Sequence, residues 1–245
     1  MFGSGLGAAI YSTMPAPRAV LLDIDGTLLR SSGAGARALA LALSDLLARP
    51  LADVVLAVNA LDFRGATDQA VVAQLEAALG VDLRVQHEVL LQMYLLHLEQ
   101  SLAAVSVELL PGVLPLVAEL EAIPGVHVGV LTGNFREAAR RKLATISLDR
   151  LVENPGGFGE DGYHRYELAV QAAARLALHG VDACRIVVVG DTQHDVSCGK
   201  HIGAKTVAVG TGWTAWAELE SAEPHLLLLD LADPEPLLDL VRALT

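Results

Sequence analysis

Residues 19–27, AVLLDIDGT, give the clearest indication of the fold of this chain. Its first part is a short aliphatic run bounded by polar and turn residues, as is typical of a β-strand. Side chains two residues apart in a strand point the same way, so Asp23 and Asp25 are expected to emerge together at the carboxyl edge of a sheet. Gly26 permits the sharp turn that follows, because glycine adopts backbone conformations closed to other residues.

Four further aliphatic runs predict strands of the same kind. They lie at residues 126–132, 184–190, 205–209 and 226–230. Most of them are nearly continuous apolar runs, as expected of parallel strands that are covered on both faces. Helical patterns separate them, at residues 112–122, 135–146, 167–179 and 195–202. This alternation predicts an α/β fold built on a doubly wound, mostly parallel sheet.

One long segment, residues 34–110, interrupts the alternation. It is rich in Ala, Leu, Gln and Glu, and it contains no convincing buried strand. Amphipathic patterns predict helices in it, at residues 36–47, 68–79 and 85–102. We therefore expect a helical domain to be inserted into an α/β core. The predicted divisions are a tail at 1–17, a core at 18–33 and 111–245, and the helical domain at 34–110.

The composition indicates a folded chain and limits the kinds of molecule that it is expected to bind. Of the 245 residues, 53% are hydrophobic and 19% are charged, a balance that excludes a mostly disordered chain. Seventeen Lys and Arg against 29 Asp and Glu give a net charge of −12, and the basic residues form no cluster. Neither nucleic acid nor an anionic membrane is therefore expected as a partner.

Three features of the sequence indicate a cytoplasmic protein. A membrane span would need a run of about 18 apolar, uncharged residues, and this sequence contains no such run. The first basic residue is Arg18, so the opening segment lacks the charged region of a signal peptide. Cys184 and Cys198 are too few for a disulfide framework. The sequence makes no prediction of the oligomeric state.

Polar residues follow three of the predicted strands. Asp23 and Asp25 follow the first, Thr132 the second, and Asp191 and Asp195 the third. Open α/β sheets bind ligands at this edge. Carboxylates crowded into one crevice repel one another unless a cation lies among them. Oxygen ligands without His or Cys favour Mg²⁺ over zinc, and a carboxylate beside such an ion is a nucleophile suited to a phosphoryl group.

These strings resemble the motifs of the haloacid dehalogenase (HAD) superfamily. Residues 23–27 match its DxDGT first motif, Thr132 with Gly133 and Asn134 matches the second, and residues 190–195, GDTQHD, match the GDxxxD fourth. The resemblance spans essentially residues 20–210. It implies a Rossmann-like core, and the helical insertion between the first and second motifs resembles the C1 cap of this superfamily.

The resemblance implies catalytic roles at the first two motifs. Asp23 would be the nucleophile that becomes an aspartyl-phosphate. Asp25 would be the general acid that protonates the leaving alcohol and later activates water. Thr132 would hydrogen-bond the transferring phosphoryl group, and we expect Gly133 and Asn134 to contact the substrate beside it.

The resemblance also implies a Mg²⁺ cofactor and a basic residue of the third motif. That residue should stand near the start of a helix before the fourth motif, and Arg165 is the best candidate because its guanidinium could bridge a carboxylate and a phosphoryl oxygen. Lys200 is second, since it follows the fourth motif. The implied metal ligands are Asp23, Asp25 through its main-chain carbonyl, and Asp191, while Asp195 would support the metal either as a direct ligand or from behind these ligands.

The stretch DFRGATD, residues 62–68, is a candidate for substrate selection. It lies between two helical patterns of the cap and resembles a G-basic-T-D string of phosphoglycolate-phosphatase-like members. Ala66 stands at the basic position, which puts a carboxylated substrate in doubt. Arg64 could supply the missing charge, and Thr67 is expected at the substrate or as a helix cap. Trp213 is expected to pack rather than to act.

The leading hypothesis is a Mg²⁺-dependent phosphomonoesterase for a small phosphorylated metabolite. A sugar-phosphate mutase of the same superfamily is one alternative, and a non-catalytic protein that binds a phosphate ligand is another. A dehalogenase would not need Asp25. A phosphonatase would need a cap lysine, and the chain has no Lys before Arg141.

Overall fold

The structure is a computed structural model that describes residues 15–83 and 86–244. Most of the predicted tail, residues 1–14, lies outside the described residues. So does Val85, the first residue of a predicted helix. No helix in the described ranges combines the length and the apolar composition needed to cross a membrane.

Strands and helices alternate along most of the described chain. The strands are β1 (Arg18–Leu22), β2 (Leu29–Arg30), β3 (Glu108–Leu109), β4 (Val126–Val130), β5 (Ile186–Gly190), β6 (Lys205–Val209) and β7 (Leu226–Leu228). The helices are α1 (Ala34–Leu47), α2 (Leu51–Asn59), α3 (Asp68–Leu79), α4 (His87–Ala104), α5 (Val113–Ala122), α6 (Arg136–Ala144), α7 (Arg165–Ala177), α8 (Gln193–His201), α9 (Trp216–Ser221) and α10 (Glu235–Arg242).

The main sheet has five parallel strands in the order β4-β1-β5-β6-β7. Leu22, the last residue of β1, lies beside Val130 of β4 and Val189 of β5. The carboxyl ends of these three strands therefore meet at one edge, at the centre of the sheet. The predicted doubly wound, parallel α/β fold is confirmed.

Helices cover both faces of this sheet. Val20 and Leu22 belong to one buried cluster with residues of α5, α6 and α10. Ala19 and Leu21 belong to a second cluster with residues of α7 and α8. Successive residues of β1 thus point to opposite faces, as the pleat of a strand requires, and both faces are apolar.

Helices α1–α4 bury a third cluster, built mainly from Ala, Leu and Val, which Phe135 and Ala138 at the start of α6 also join. Three of these helices lie where the amphipathic patterns predict them, whereas α2 was not predicted from the sequence. A short antiparallel pair, β2 with β3, joins the two ends of this helical segment. Its two-residue strands are too short to give a periodic signal. The division into core and cap domains stays a prediction.

Candidate active site

The turn after β1 requires a glycine for two reasons. Gly26 has a φ of +86°, in the left-handed region that favours glycine. A Cβ added there would lie only 2.5 Å from Oδ2 of Asp191. The Thr211 hydroxyl donates to the Gly26 carbonyl at 2.6 Å and fixes the turn to the loop after β6. The turn therefore brings the first-motif segment directly against the Asp191 carboxylate.

Three carboxylates meet at this edge of the sheet. Oxygens of Asp23, Asp191 and Asp195 all lie within 4.8 Å of one another, and all three residues are buried. Asp23 follows β1, and the other two follow β5, so neighbouring parallel strands deliver them. The Asp25 carboxylate lies outside this group, which leaves its main-chain carbonyl as the ligand that the resemblance implies.

The electrostatics of this group disfavour full ionisation. Burial raises the pKa of Asp191 to about 8, and the charges of Asp23 and Asp195 act in the same direction. Burial also raises the pKa of Asp23 to about 6, although the nearby guanidinium of Arg165 opposes the shift. Buried carboxylates this close take up protons unless a cation replaces them.

This donor set fits a hard divalent cation. It offers three carboxylates with no His or Cys, which is the ligand chemistry that Mg²⁺ prefers. Gly212 supports the fit, because any Cβ at that position would overlap Oδ2 of Asp191. Glycines at 26 and 212 thus leave a space that the Asp191 carboxylate occupies. These residues could hold a metal ion.

Arg165 lies behind the carboxylates, as the first residue of α7. Its Nη2 is 3.2 Å from Oδ1 of Asp23 and also contacts Oδ1 of Asp195. It donates to the Leu131 carbonyl at 3.3 Å as well. Burial opposes its charge, but Asp195 and Asp23 together raise its pKa above the usual value. Arg165 therefore stays charged and joins Asp23 to the fourth motif. Lys200 instead donates to the Ala222 carbonyl near the surface.

Asp195 has a structural role beside its place in the acidic group. Its Oδ2 accepts from the main-chain N–H of Thr192 at 3.0 Å and from the Thr192 hydroxyl at 2.6 Å. The Thr192 hydroxyl in turn accepts from the Asp195 N–H at 3.3 Å. This reciprocal capping box begins α8. Most of the acceptor capacity of Asp195 is therefore used within the protein.

The Asp25 carboxylate is held by a residue that the sequence analysis missed. Lys142 Nζ lies 2.5 Å from Oδ2 of Asp25 and 2.7 Å from Oδ1 of Asn134. Asn134 Nδ2 donates to the same Asp25 oxygen at 2.9 Å, and Ser31 donates to the other at 3.3 Å. Burial opposes ionisation, but Lys142 and these donors lower the pKa of Asp25 below its usual value.

A signal for Lys142 was present in the sequence. The buried positions of α6 are Ala138, Ala139, Lys142 and Leu143, which repeat at the three- and four-residue spacing of one helix face. A lysine on an apolar face is unusual, because lysine is almost never buried unless it is paired. Arg165 shows the same pattern on α7, where it shares a buried face with Leu168 and Ala169.

Thr132 and Gly133 lie at the end of β4, as predicted. Thr132 is fully buried, and its hydroxyl accepts from the Asn134 side chain at 2.8 Å. A Cβ on Gly133 would overlap the carbonyl oxygen of Ala66. The loop at 62–68 therefore packs tightly onto the second motif, and Asp68 N–H donates to the Gly133 carbonyl at 2.7 Å.

Thr67 lies beside Gly133 but does not line the cavity. Its hydroxyl accepts from Ala70 N–H as the cap of α3 and donates to the Tyr163 carbonyl at 3.0 Å. Arg64 does line the cavity, but its guanidinium is exposed and pairs with Asp62 at 2.7 Å. Arg64 thus lies at the cavity with its guanidinium already paired with the Asp62 carboxylate.

A cavity of about 280 Å³ connects these groups. It lies between the carboxyl edge of the sheet and helices α1, α3 and α4. Trp213 lines it with 63% of its surface exposed, so the expectation that Trp213 packs is wrong. The predicted residues that line the cavity are Asp23, Asp25, Arg64, Thr132, Gly133, Asn134, Arg165 and Asp191. The lining residues that were not predicted include Gly35, Asp68, Tyr94 and Lys142.

Comparison with known proteins establishes the family. The family model for a haloacid dehalogenase-like hydrolase matches residues 17–203, more than half of the chain. The chain belongs to the haloacid dehalogenase-like hydrolases. The chain is similar to the tyrosine-protein kinase PtkA of Mycobacterium tuberculosis, with 34% identity over 105 residues. That match covers 43% of this chain and 35% of PtkA, so the chain spans about a third of the curated relatives it matches.

Solved structures share this haloacid dehalogenase-like fold over nearly the whole chain. A hydrolase from Pseudomonas syringae superposes with a TM-score of 0.67 at 22% identity, over 91% of this chain and 99% of that one. A predicted phosphatase from Clostridium acetobutylicum superposes with a TM-score of 0.62 at 14% identity, over 92% and 100%. At these identities the likeness concerns the fold.

Proposed function

We propose that this protein is a Mg²⁺-dependent phosphomonoesterase that acts on a small phosphorylated metabolite through an aspartyl-phosphate at Asp23. The observation that carries the proposal is the meeting of Asp23, Asp191 and Asp195 with Arg165 beneath a small cavity. A bound Mg²⁺ would neutralise charge on the carboxylates and on the phosphoryl oxygens. Asp23, Asp191, the Asp25 carbonyl and Asp195 are its proposed ligands.

In the first step, an Asp23 carboxylate oxygen attacks phosphorus. A new O–P bond forms on Asp23, and the bond from phosphorus to the ester oxygen breaks. The leaving alkoxide takes a proton from Asp25. The guanidinium of Arg165, 3.2 Å from Asp23, orients the nucleophile and stabilises the charge that spreads over the phosphoryl oxygens. The Thr132 hydroxyl hydrogen-bonds one of those oxygens.

In the second step, water attacks phosphorus and Asp25 accepts its proton. The O–P bond to Asp23 breaks, which releases inorganic phosphate and returns the carboxylate. The ion pair with Lys142 holds Asp25 in the ionised form that this step needs. One carboxyl group thus serves as acid and then as base, and Lys142 supports the second of these states.

The similarity to PtkA favours a second candidate, in which a tyrosine hydroxyl replaces water as the phosphoryl acceptor. The cavity of about 280 Å³ has room for a small substrate, as the phosphatase proposal requires. The two candidates differ in their products. With γ-labelled ATP and a tyrosine peptide, the kinase labels the peptide, whereas a phosphomonoesterase leaves it unlabelled. With a labelled sugar phosphate, the phosphatase releases labelled phosphate, whereas a mutase moves the label within the sugar phosphate and releases none.

The phosphatase proposal is tested with p-nitrophenyl phosphate. We expect hydrolysis that requires MgCl₂, stops in excess EDTA and is lost in Asp23→Asn. Asp182→Asn is a matched control, because Asp182 is exposed and far from the cavity lining. Undiminished turnover in EDTA would refute the metal assignment, and undiminished turnover in Asp23→Asn would refute the covalent mechanism.

A further inference from the structure

A small space beside Gly35 belongs to the cavity but to none of the groups that handle the phosphoryl group. A Cβ added to Gly35 would lie 3.6 Å from the Tyr94 hydroxyl oxygen and 3.7 Å from Lys142 Nζ. Each of these three residues lines the cavity. An oxygen atom close to this point would be within reach of two hydrogen-bond donors.

The backbone does not explain the glycine at this position. Gly35 is the second residue of α1 and has no left-handed φ, unlike Gly33 just before it. Glycine in a helix is less stabilising than alanine, because it loses more backbone freedom on folding. A glycine that the backbone does not need is explained by the space that it leaves open between Tyr94 and Lys142.

Both donors have capacity left for a ligand. The Lys142 ammonium has three N–H groups, and Asp25 and Asn134 take two of them. Tyr94 is 5% exposed, and its hydroxyl has no hydrogen-bond partner among residues 15–83 and 86–244. Burial, with Asp68 and Asp25 nearby, raises the pKa of Tyr94 well above its usual value. The hydroxyl therefore keeps its proton and can donate it.

The position of this space relates it to the leaving group. Lys142 lies 2.5 Å from Asp25, the residue proposed to protonate the ester oxygen. The space is therefore on the side of the cavity where Asp25 would meet the leaving alcohol. A substituent of the alcohol that reaches it extends from the reacting centre past Asp25.

The charges around this space favour an uncharged hydrogen-bond acceptor on the substrate. The carboxyl groups of Asp25 and Asp68 both interact with the Lys142 ammonium, so its charge is already balanced. A carboxylate on the substrate would add a third negative charge near one cation. A hydroxyl would accept from Tyr94 or Lys142 without that repulsion.

We propose that Gly35, Tyr94 and Lys142 form a subsite for a hydroxyl group on the leaving alcohol. The substrate class is then the phosphate monoester of a polyol or sugar. This inference rests on the proposed phosphatase function. It concerns the part of the alcohol beyond the ester oxygen, which the catalytic groups do not contact. The two donors together supply about one strong hydrogen bond in net free energy. The kcat/KM for an ester with the hydroxyl should therefore be roughly 10-fold higher than for one without it.

The test compares glycerol 3-phosphate with n-propyl phosphate, which has the same carbon chain without the hydroxyls. We expect the wild type to have a kcat/KM about 10-fold higher for glycerol 3-phosphate. Tyr94→Phe should lower this ratio, and Gly35→Ala should bring it near one by filling the space. Tyr166→Phe, at an exposed tyrosine outside the cavity lining, should keep the wild-type ratio.

Three results would overturn the inference. One is an equal kcat/KM for both esters in the wild type, and another is a ratio that both variants leave unchanged. The third is a preference for 2-phosphoglycolate over glycerol 3-phosphate, which would assign the subsite to a carboxylate.

A binding measurement separates this inference from the proposed function. If no ester turns over, the phosphatase proposal fails, and the subsite is tested by calorimetric titration of both esters into Asp23→Asn with MgCl₂. Tighter binding of glycerol 3-phosphate supports the subsite, and equal affinity overturns it. Gly35→Ala should remove the difference. Because alanine favours the helix, this variant is expected to fold.

Discussion

The Lys142 ammonium lies 2.5 Å from the Asp25 carboxylate, and its side chain is almost completely buried. The two residues are 117 positions apart in the chain, at the start of the α/β core and on α6. Asn134 contacts both of them and links the pair to the end of β4. The group proposed as the acid and base is thus fixed by a cation from the core and not by the helical segment.

Lys142→Met should destabilise the protein and slow turnover together. Removal of the ammonium leaves Asp25 and Asn134 without their common donor, and such a loss costs about 1–3 kcal/mol. Urea unfolding measures this cost. Lys200→Met is the control, since Lys200 is partly exposed and its change should stay within about 0.5 kcal/mol. Equal stability of the two variants would show that the pair contributes nothing.

Arg165→Lys should impair catalysis although it keeps the charge. A lysine ammonium cannot reproduce the planar set of donors that contacts Asp23, Asp195 and the Leu131 carbonyl. We expect kcat to fall by about 10-fold or more in a hydrolysis assay. Arg175 lies on the same helix and pairs with Asp161. The control variant Arg175→Lys should therefore retain activity. Full activity of Arg165→Lys would contradict the proposed contact with the phosphoryl group.

Gly212→Ala should weaken metal binding. Any Cβ at this position overlaps the Asp191 carboxylate, so that carboxylate has to move away from Asp23 and Asp195. Gly212 has no left-handed φ, so the backbone itself tolerates alanine. Isothermal titration with MgCl₂ should show a Kd raised by about 10-fold or more. An unchanged Kd would mean that Asp191 does not ligate the ion.

The metal-free protein should lose stability as the pH rises from about 5 to about 8. Asp23 and Asp68 have pKa values raised to about 6, and Asp191 to about 8. An unfolded chain loses these protons near pH 4, so in this window the folded protein binds more protons and its stability falls with pH. Asp25, with a lowered pKa, contributes below this window.

Calorimetry with and without MgCl₂ measures this effect. Without metal, we expect the Tm to fall by at least about 2–4 °C across the window. Mg²⁺ binds the deprotonated carboxylates, so its stabilising effect should be larger at the higher pH. Asp191→Asn should flatten the fall and abolish the effect of Mg²⁺. A Tm that rises with pH in the metal-free wild type and not in Asp191→Asn would contradict this.

The sheet could be predicted because a short local sequence pattern marks each of its strands. The runs that became β1, β4, β5, β6 and β7 are aliphatic, short and bounded by turn residues, and parallel pairing places their carboxyl ends together. Helices at both faces follow from the alternation. The six-residue string GDTQHD and the DxDGT turn therefore both indicated the same edge of the sheet.

Other parts of the site depend on contacts that no local pattern encodes. Tyr94 lies within an apolar run of α4, and only the packing of α4 against α1 turns its hydroxyl toward the cavity. The pairing of Asp25 with Lys142 depends on how α6 returns against β1. Thr67 was expected at the substrate or as a helix cap; its hydroxyl caps α3, and it also donates to the Tyr163 carbonyl, a contact that no local pattern predicts.

The covalent step at Asp23 is tested most directly by trapping the phosphoenzyme. The protein is mixed with MgCl₂ and acetyl phosphate, quenched in acid and reduced with borohydride, which converts an aspartyl-phosphate to homoserine. Peptide mass spectrometry should find homoserine at position 23 in the wild type, and none in Asp23→Asn or without Mg²⁺. Turnover with no modification at position 23, or with homoserine at another aspartate, would contradict the proposed nucleophile.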